Sequence, residues 1–319
     1  MRFQLDLTKE YGIVLEGGGA RGSYQIGAWK ALREAGIKIR GIAGASVGAL
    51  NGALICMDDL EKAEEIWENI RYSQVIDVDD DVIETVKKLD LKSLDLVKVA
   101  EDTKKILKDK GLDITPLKNL IESVVDEDKI RSSDRELYLT TYSVTDRELL
   151  VLNAKDIPDG EIGDMLLASA YFPAFRNDKL GGKRYLDGGG WNNVPINILL
   201  EHDYKDILVI RIYGLGYDSE RTTEIPEDVH VTHIAPRQDL GGILEFDRTR
   251  ARKNMTLGYY DAKRVLYGLE GRWYYLYAPE SDVYYFERFL TEIEEFARCG
   301  LLPMPEQFFN DTATTEIYT

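Results

Sequence analysis

A chain of 319 residues with 44% hydrophobic residues is long enough for one large α/β domain or for a domain with an appendage. Its formal net charge of −17 argues against nucleic acid as a partner and against steady attraction to anionic membranes, because phosphate surfaces repel such a chain. The N-terminus lacks a secretory apolar segment, no window reaches about 18 apolar residues, and the chain has only two cysteines. We therefore expect a cytoplasmic protein whose contact with membranes is at most peripheral.

The first part of the chain alternates between strand-like and helix-like segments. A short apolar strand at 11–16 is followed by a glycine-rich loop and by an amphipathic helix that ends near Gly36, a residue typical of the position after a helix. A second strand at 37–44 runs into a helix of small residues, and another amphipathic helix covers 60–70. This βαβα order predicts an α/β layered domain.

Residues 77–128 differ from what precedes them, because they are helical in pattern and carry charges of both signs. We predict a helical insertion there, which either shapes or covers a pocket or is a solvated helical pair. Strand-like segments resume near 136. We expect a first domain over 1–215, a C-terminal extension over 216–306 packed on or beside it, and a non-native tail at 307–319.

The glycine-rich loop Gly17–Gly22, with the sequence GGGARG, brings bare backbone N–H groups close to a negative charge. Its glycines satisfy G-x-G-x-x-G between a strand and a helix, which is the pattern of a dinucleotide-binding loop. That pattern also needs an acidic residue about 20 positions further on to hold a ribose, and the nearest charge there is Arg40. The same amides can instead stabilise the oxyanion that develops in acyl transfer. We favour the oxyanion and keep the dinucleotide as the alternative.

The pentapeptide GASVG, Gly44 to Gly48, has the G-x-S-x-G pattern of a nucleophile elbow at a strand-to-helix turn. Ser46 lies on the turn, the two glycines relieve the clashes of so tight a bend, and the next helix directs its positive N-terminus at the serine. Taken alone, the pattern also occurs where small residues let a helix pack on a sheet. Beside the glycine-rich loop, it predicts that Ser46 is a nucleophile.

A nucleophilic serine needs a base, and the chain offers three histidines and one well-placed aspartate. Asp187 stands at a strand end in RYLDGGGWNNVP, where Gly188 and Gly189 permit close approach of another loop. An aspartate with an ordinary pKa of about 3.9 is a poor base at neutral pH, so we expect its surroundings to raise the pKa. A triad in which His202 or His233 joins the serine and the aspartate stays open as an alternative.

The motifs EGGGARG, GASVG and DGG, in this order, resemble the signature of the patatin-like phospholipase family. The segment LLASAYFPAF, with Ser169 and Pro173, is similar to a further motif of that family. The resemblance covers roughly 11–213 and points to bacterial, stand-alone cytosolic members. It implies a three-layer α/β/α fold with a mostly parallel central sheet, and a dyad without histidine in which Ser46 accepts the acyl group and Asp187 is the base.

The same resemblance implies that the glycine-rich loop forms the oxyanion hole, with the N–H groups around Gly18 and Gly19 as donors. Arg21 matches the arginine of the motif, where it either fixes the loop or meets a lipid phosphate. The expected residues of the oxyanion hole are Gly17, Gly18, Gly19, Arg21 and Gly22.

Together these expectations describe a two-step hydrolysis of a carboxylic ester through an acyl-serine, with a phospholipid or lysophospholipid as substrate. We expect no cofactor, no metal ion and no nucleic acid; the expected partners are a lipid ester and, transiently, a membrane. The sequence does not indicate an oligomeric state. Two alternatives stay open: an oxidoreductase that binds NAD or NADP at Gly17–Gly22, and a protein that binds acyl lipids without turnover.

Overall fold

The structure, a computed structural model, describes residues 5–77, 112–271, 275–278 and 280–298. The chain divides into two compact units, Met1–Tyr275 and Leu276–Thr319. Three predicted segments fall outside the described residues: 78–111 of the helical insertion, the end of the C-terminal extension from 299, and the tail at 307–319.

Seven strands of the first unit form one sheet. The strands are β1 (Glu10–Leu15), β2 (Lys38–Ala45), β3 (Glu136–Ser143), β4 (Glu148–Asn153), β5 (Tyr185–Asp187), β6 (Asp206–Ile210) and β7 (His230–Ile234). Their order across the sheet is β4-β3-β2-β1-β6-β7, and β5 pairs with β3. Only β4 and β5 run antiparallel to their neighbour, so the described sheet is mostly parallel, as predicted.

Helices cover both faces of this sheet. The first unit contains α1 (Ser23–Glu34), α2 (Val47–Cys56), α3 (Leu60–Asn69), α4 (Thr115–Val124), α5 (Glu127–Ser132), α6 (Ile162–Ser169), α7 (Ile196–Glu201) and α8 (Arg248–Tyr267). The second unit contains α9 (Asp282–Arg298). The end of α1 is where the sequence predicts it, since Gly36 takes a left-handed φ of 81°. In the part of the chain that the structure describes, none of the helices is long and apolar enough to cross a membrane.

Strand β1 shows how both faces of the sheet are buried. Successive side chains of a strand point to opposite faces. Ile13 and Leu15 belong to the larger core, which α1, α2 and α3 cover, whereas Val14 belongs to a smaller core with Ile198 and Leu199 of α7. All five side chains are fully buried. Helices on both faces of a mostly parallel sheet make the three-layer α/β/α fold, as predicted.

Residues beyond 216 contribute to the first unit as well. Strand β7 extends the sheet by pairing with β6, and α8 packs against α1. Helix α8 begins where Asp247 caps it, because Oδ1 of this aspartate accepts the N–H of Arg250 at 2.8 Å. The loop between β7 and α8 contacts the glycine-rich loop, since the carbonyl of Ile243 accepts the amide N–H of Ala20.

Candidate active site

Ser46 lies at the sharp turn between β2 and α2. Its φ of 54° and ψ of −125° are a strained combination for a residue with a side chain. A Cβ on Gly44 would stand 2.5 Å from the carbonyl carbon of Gly48, and a Cβ on Gly48 would stand 2.1 Å from the carbonyl oxygen of Leu15. Only glycine fits at these two positions, so GASVG folds as a nucleophile elbow that presents Ser46 at the carboxyl end of the sheet.

Asp187 ends β5, where it lies opposite Thr141 of β3. Its Oδ1 accepts a hydrogen bond from the amide of Gly189 at 2.8 Å. The hydroxyl of Ser46 lies near enough to this carboxylate to lower its pKa. The fold thus brings Ser46 and Asp187, here called the dyad, together on the wall of one cavity, as a nucleophile and its base require.

The carboxyl group of Asp187 has a shifted pKa. Burial raises this pKa from its ordinary value of 3.8 to about 6, and the hydrogen bonds from Ser46 and Gly189 oppose the rise. At neutral pH such a carboxyl is mostly ionised, yet it binds a proton more strongly than an exposed aspartate does. The pKa of Asp187 is therefore raised, as expected for a base that acts near neutral pH.

The histidines of the alternative triad are engaged elsewhere. Nδ1 of His202 lies 2.8 Å from the carbonyl oxygen of Ile198, and its ring packs on Tyr138 with centroids 4.3 Å apart. Nε2 of His233 lies 2.5 Å from a carboxylate oxygen of Glu220. Neither histidine lines the cavity that Ser46 and Asp187 share.

The glycine-rich loop keeps two of its amides unpaired. The amide of Gly17 donates to the carbonyl of Asn193 at 3.2 Å, and that of Ala20 donates to a carbonyl further along the chain at 2.8 Å. Within the described ranges, the amides of Gly18 and Gly19 have no hydrogen-bond acceptor, and both residues line the same cavity as the dyad. These two amides are the available donors for an oxyanion.

Arg21 and Gly22, also predicted for the oxyanion hole, make contacts of another kind. The guanidinium of Arg21 donates to the carbonyl of Gly241 at 2.7 Å and to that of Tyr213. A Cβ on Gly22 would stand 2.4 Å from a methyl group of Val47, so this glycine lets α1 and α2 approach each other. The contacts of Arg21 match the first of its two expected roles, which is to fix the loop.

Ser169, at the end of α6, forms a hydrogen bond with the backbone of the elbow. Its Oγ accepts the amide N–H of Ser46 at 3.0 Å and donates to the carbonyl of Thr140 at 2.7 Å. The side chain is fully buried. The family resemblance includes this serine, but only the structure shows that it holds the backbone of Ser46.

We expect Ser169→Ala to lower the free energy of unfolding by about 1–3 kcal/mol, because the buried amide of Ser46 loses its acceptor. Urea unfolding followed by tryptophan fluorescence measures the change. The matched control is Ser132→Ala, whose exposed hydroxyl donates to the carbonyl of Asp128; its effect is expected within about 0.5 kcal/mol. Equal unfolding free energies for the two variants contradict the assigned contact.

Asn193 is not among the residues predicted from the sequence, yet it joins the two halves of the site. Its backbone carbonyl accepts the amide of Gly17, and its Nδ2 donates to the carbonyl of Gly17 at 3.2 Å. A Cβ on Gly189, in the turn after Asp187, would stand 2.4 Å from its Oδ1. The signal available in the sequence was an asparagine shortly after the Asp-Gly turn.

An apolar cavity of ≈ 130 Å³ opens beside the dyad. Side chains that line it include Leu50, Leu54 and Met57 of α2, Leu120 and Val124 of α4, and Leu244 of the loop before α8. Among the described residues on its wall, Asp187 is the one ionisable side chain. Helix α4 lies inside the predicted insertion 77–128, and its apolar face is part of this wall. The cavity suits a hydrocarbon chain.

An α/β/α fold whose nucleophile elbow faces an apolar cavity is characteristic of carboxylic ester hydrolases. The family described as patatin-like phospholipase matches residues 13–200, which is more than half of the chain. The chain belongs to the patatin-like phospholipase family. Membership decides against the oxidoreductase alternative.

Curated relatives match the chain over a short segment. The lysophospholipase nte1 of Aspergillus terreus is 58% identical over 50 residues, which are 16% of this chain and 3% of the relative. The neuropathy target esterase sws of Drosophila sechellia is 57% identical over 47 residues, which are 15% of this chain and 3% of the relative. The chain therefore matches only a small part of the length of these relatives.

Two solved structures are similar to the chain at low sequence identity. VipD from Legionella pneumophila is 16% identical with a TM-score of 0.49, over 80% of this chain and 66% of VipD. The type III effector protein ExoU of Pseudomonas aeruginosa is 18% identical with a TM-score of 0.44, over 79% of this chain and 52% of that chain.

Proposed function

We propose that the protein is a serine lipid acyl hydrolase of the phospholipase A or lysophospholipase type. One observation carries the proposal: Ser46, the carboxylate of Asp187 and the unpaired amides of Gly18 and Gly19 meet at the wall of one apolar cavity. Nucleophile, base, oxyanion donors and acyl pocket are the parts that two-step ester hydrolysis needs.

In the first step, Asp187 takes the proton of the Ser46 hydroxyl while Oγ attacks the ester carbonyl carbon. The negative charge moves to the carbonyl oxygen, where the amides of Gly18 and Gly19 stabilise it. The tetrahedral intermediate then collapses, the C–O bond to the alcohol breaks, and the carboxyl of Asp187 returns the proton to the departing alcohol. The result is an acyl-serine and a free alcohol.

In the second step, Asp187 takes a proton from water as the water oxygen attacks the acyl-serine. The oxyanion forms again at the same amides, and its collapse breaks the bond to Oγ of Ser46. The proton held by Asp187 returns to Oγ, so the fatty acid leaves and the dyad is restored.

The cavity wall supports an acyl chain as the bound part of the substrate. Apart from Asp187, the described residues that line it carry no charge, so the polar head group is expected to stay outside. Helix α2 starts at the nucleophile and rises about 1.5 Å per residue, which places Leu54 about 12 Å along the helix from Ser46. The acyl chain of the substrate is then bound along α2, with its carbonyl carbon at the dyad.

We expect Leu54→Trp to shorten the acyl chain that the enzyme accepts. The indole fills the middle of the cavity, so kcat/KM for nitrophenyl palmitate falls by about 10-fold or more while that for nitrophenyl butyrate changes by less than about twofold. Steady-state rates on an ester series from butyrate to palmitate measure the change. Leu54→Met, which conserves volume, is the control. An equal loss on all chain lengths contradicts binding along α2.

Cellular location and partners follow from the same proposal. The protein works in the cytoplasm and meets a membrane transiently when it takes up a lipid ester. The low number of cysteines, two in the chain, supports a reducing compartment.

The proposal is tested with palmitoyl lysophosphatidylcholine as substrate and palmitate release measured by mass spectrometry. The ether analogue, which has the same head group and chain but no carbonyl, is the control. We expect palmitate from the ester and no product from the ether. Binding of both lipids without release of palmitate favours the non-catalytic lipid-binding alternative and contradicts the proposal.

A further inference from the structure

The loop at 239–247, between β7 and α8, contacts the glycine-rich loop and lies outside the residues that the family matches. We call it the clamp loop. The carbonyl of Ile243 accepts the amide N–H of Ala20 at 2.8 Å. A Cβ on Gly19 would stand 2.1 Å from the same oxygen, and Gly19 has a left-handed φ of 56°. The backbone that carries the unpaired amides is thus pressed against the clamp loop.

Arg21 ties the glycine-rich loop to two distant backbone segments. Its Nε donates to the carbonyl of Gly241 in the clamp loop at 2.7 Å, and its Nη1 donates to the carbonyl of Tyr213 just beyond β6. Both bonds use the fixed fork geometry of a guanidinium, which a lysine cannot reproduce. Because Nε and Nη1 both serve backbone carbonyls, the contacts of Arg21 are those of a brace between backbone segments.

Asn254 anchors the clamp loop to α8. Its side chain is fully buried, and Nδ2 donates to the carbonyl of Leu240 at 2.9 Å. Helix α8 is fixed in turn against α1, since a Cβ on Gly27 would stand 1.8 Å from the carbonyl oxygen of Met255. A continuous set of contacts therefore runs from α8 through Asn254 and the clamp loop to Arg21 and the glycine-rich loop.

We infer that Arg21 and Asn254 are positioning residues for ester hydrolysis, which hold the amides of Gly18 and Gly19 where the oxyanion develops. The inference rests on the proposed function. Preorganised donors stabilise a transition state only while they are held in place, and a displacement of about 1 Å lowers a rate by about 100-fold. Because Ile243 and Leu244 of the clamp loop also line the cavity, KM is expected to change as well, but by less than kcat.

The test compares Arg21→Lys and Asn254→Leu with the wild type on a neutral nitrophenyl decanoate and on palmitoyl lysophosphatidylcholine. We expect kcat to fall by about 10- to 100-fold on both substrates, with a smaller change in KM that is equal for the two substrates. The matched controls are Arg33→Lys, an exposed arginine of α1 paired with Asp58, and Thr256→Ala on α8. Both controls are expected to keep the kcat of the wild type.

Melting temperatures, measured in parallel, separate positioning from a purely structural role. A lower melting temperature with an unchanged kcat well below it overturns the inference, as does a KM that rises only on the phosphate-bearing lipid after Arg21→Lys. Since both residues act on one loop, the double variant is expected to lose about as much kcat as the more impaired of the two single variants. Losses that multiply in the double variant also overturn the inference. If the wild type lacks turnover, or if Ser46→Ala keeps it, the proposed function has failed instead.

Discussion

Ser46→Ala is expected to lower kcat for ester hydrolysis by at least about 10⁴-fold, because no other atom replaces the attacking Oγ. The fold is expected to survive, since alanine keeps a Cβ and meets the strained φ of 54° with no more cost than serine. Release of fatty acid from a saturating lysophospholipid gives kcat, and thermal unfolding gives the melting temperature.

The control for this substitution is Ser132→Ala, which removes an exposed hydroxyl at the end of α5. It is expected to keep both the rate and the melting temperature of the wild type. A rate for Ser46→Ala within about tenfold of the control shows that the acyl group is not transferred to this serine, which contradicts the acyl-enzyme mechanism.

The second large effect is expected for Asp187→Asn. Asparagine keeps the acceptor for the amide of Gly189 but cannot take a proton, so kcat falls by about 10²–10⁴-fold. In the wild type, kcat/KM is expected to rise with pH through an apparent pKa of about 6 and then to level, because the ionised form of Asp187 is the base. Rates measured at a series of pH values from about 4.5 to about 8.5 cover both the rise of kcat/KM and its plateau.

The same variant is expected to be more stable than the wild type at alkaline pH. The pKa of Asp187 is raised from 3.8 to about 6 in the folded protein, so the folded state binds this proton more tightly than the unfolded state. The associated stability is full below a pH of about 3.8 and is lost as pH rises through about 6. Removing the charge therefore raises the free energy of unfolding by at most about 3 kcal/mol at pH near 8, and by little at pH near 4.

Urea unfolding of Asp187→Asn at two pH values checks this sign. The control is Asp203→Asn, which removes an exposed carboxylate instead of a buried one. A variant that loses activity but is destabilised at alkaline pH places Asp187 in a stabilising ion pair or hydrogen-bond network, which contradicts a base whose pKa burial has raised.

The elbow was predictable from the sequence because its determinants are local. Gly44, Ser46 and Gly48 lie within five consecutive residues between a strand and a helix, and the backbone of the turn itself demands the two glycines. The mostly parallel sheet was predictable for a similar reason, since alternating strands and helices leave few arrangements that bury both faces of a sheet.

The remaining features of the site depend on contacts between distant parts of the chain. The pairing of Thr141 with Asp187 brings the aspartate to the nucleophile, and no local pattern contains that register. The raised pKa of Asp187 arises from what surrounds it in three dimensions. The clamp loop reaches Arg21 from more than 200 positions away, so Gly241 and Asn254 carry no signal that links them to a glycine-rich loop.

The most direct test of the central claim is covalent labelling of the dyad serine with a fluorophosphonate, followed by intact-mass measurement of the wild type, Ser46→Ala and Asp187→Asn. A hydrogen-bonded, base-activated serine predicts one adduct on the wild type, none on Ser46→Ala and slower labelling of Asp187→Asn. A folded wild type that gains no adduct, or an alanine variant that is labelled as fast as the wild type, contradicts the assignment of Ser46 as the activated nucleophile.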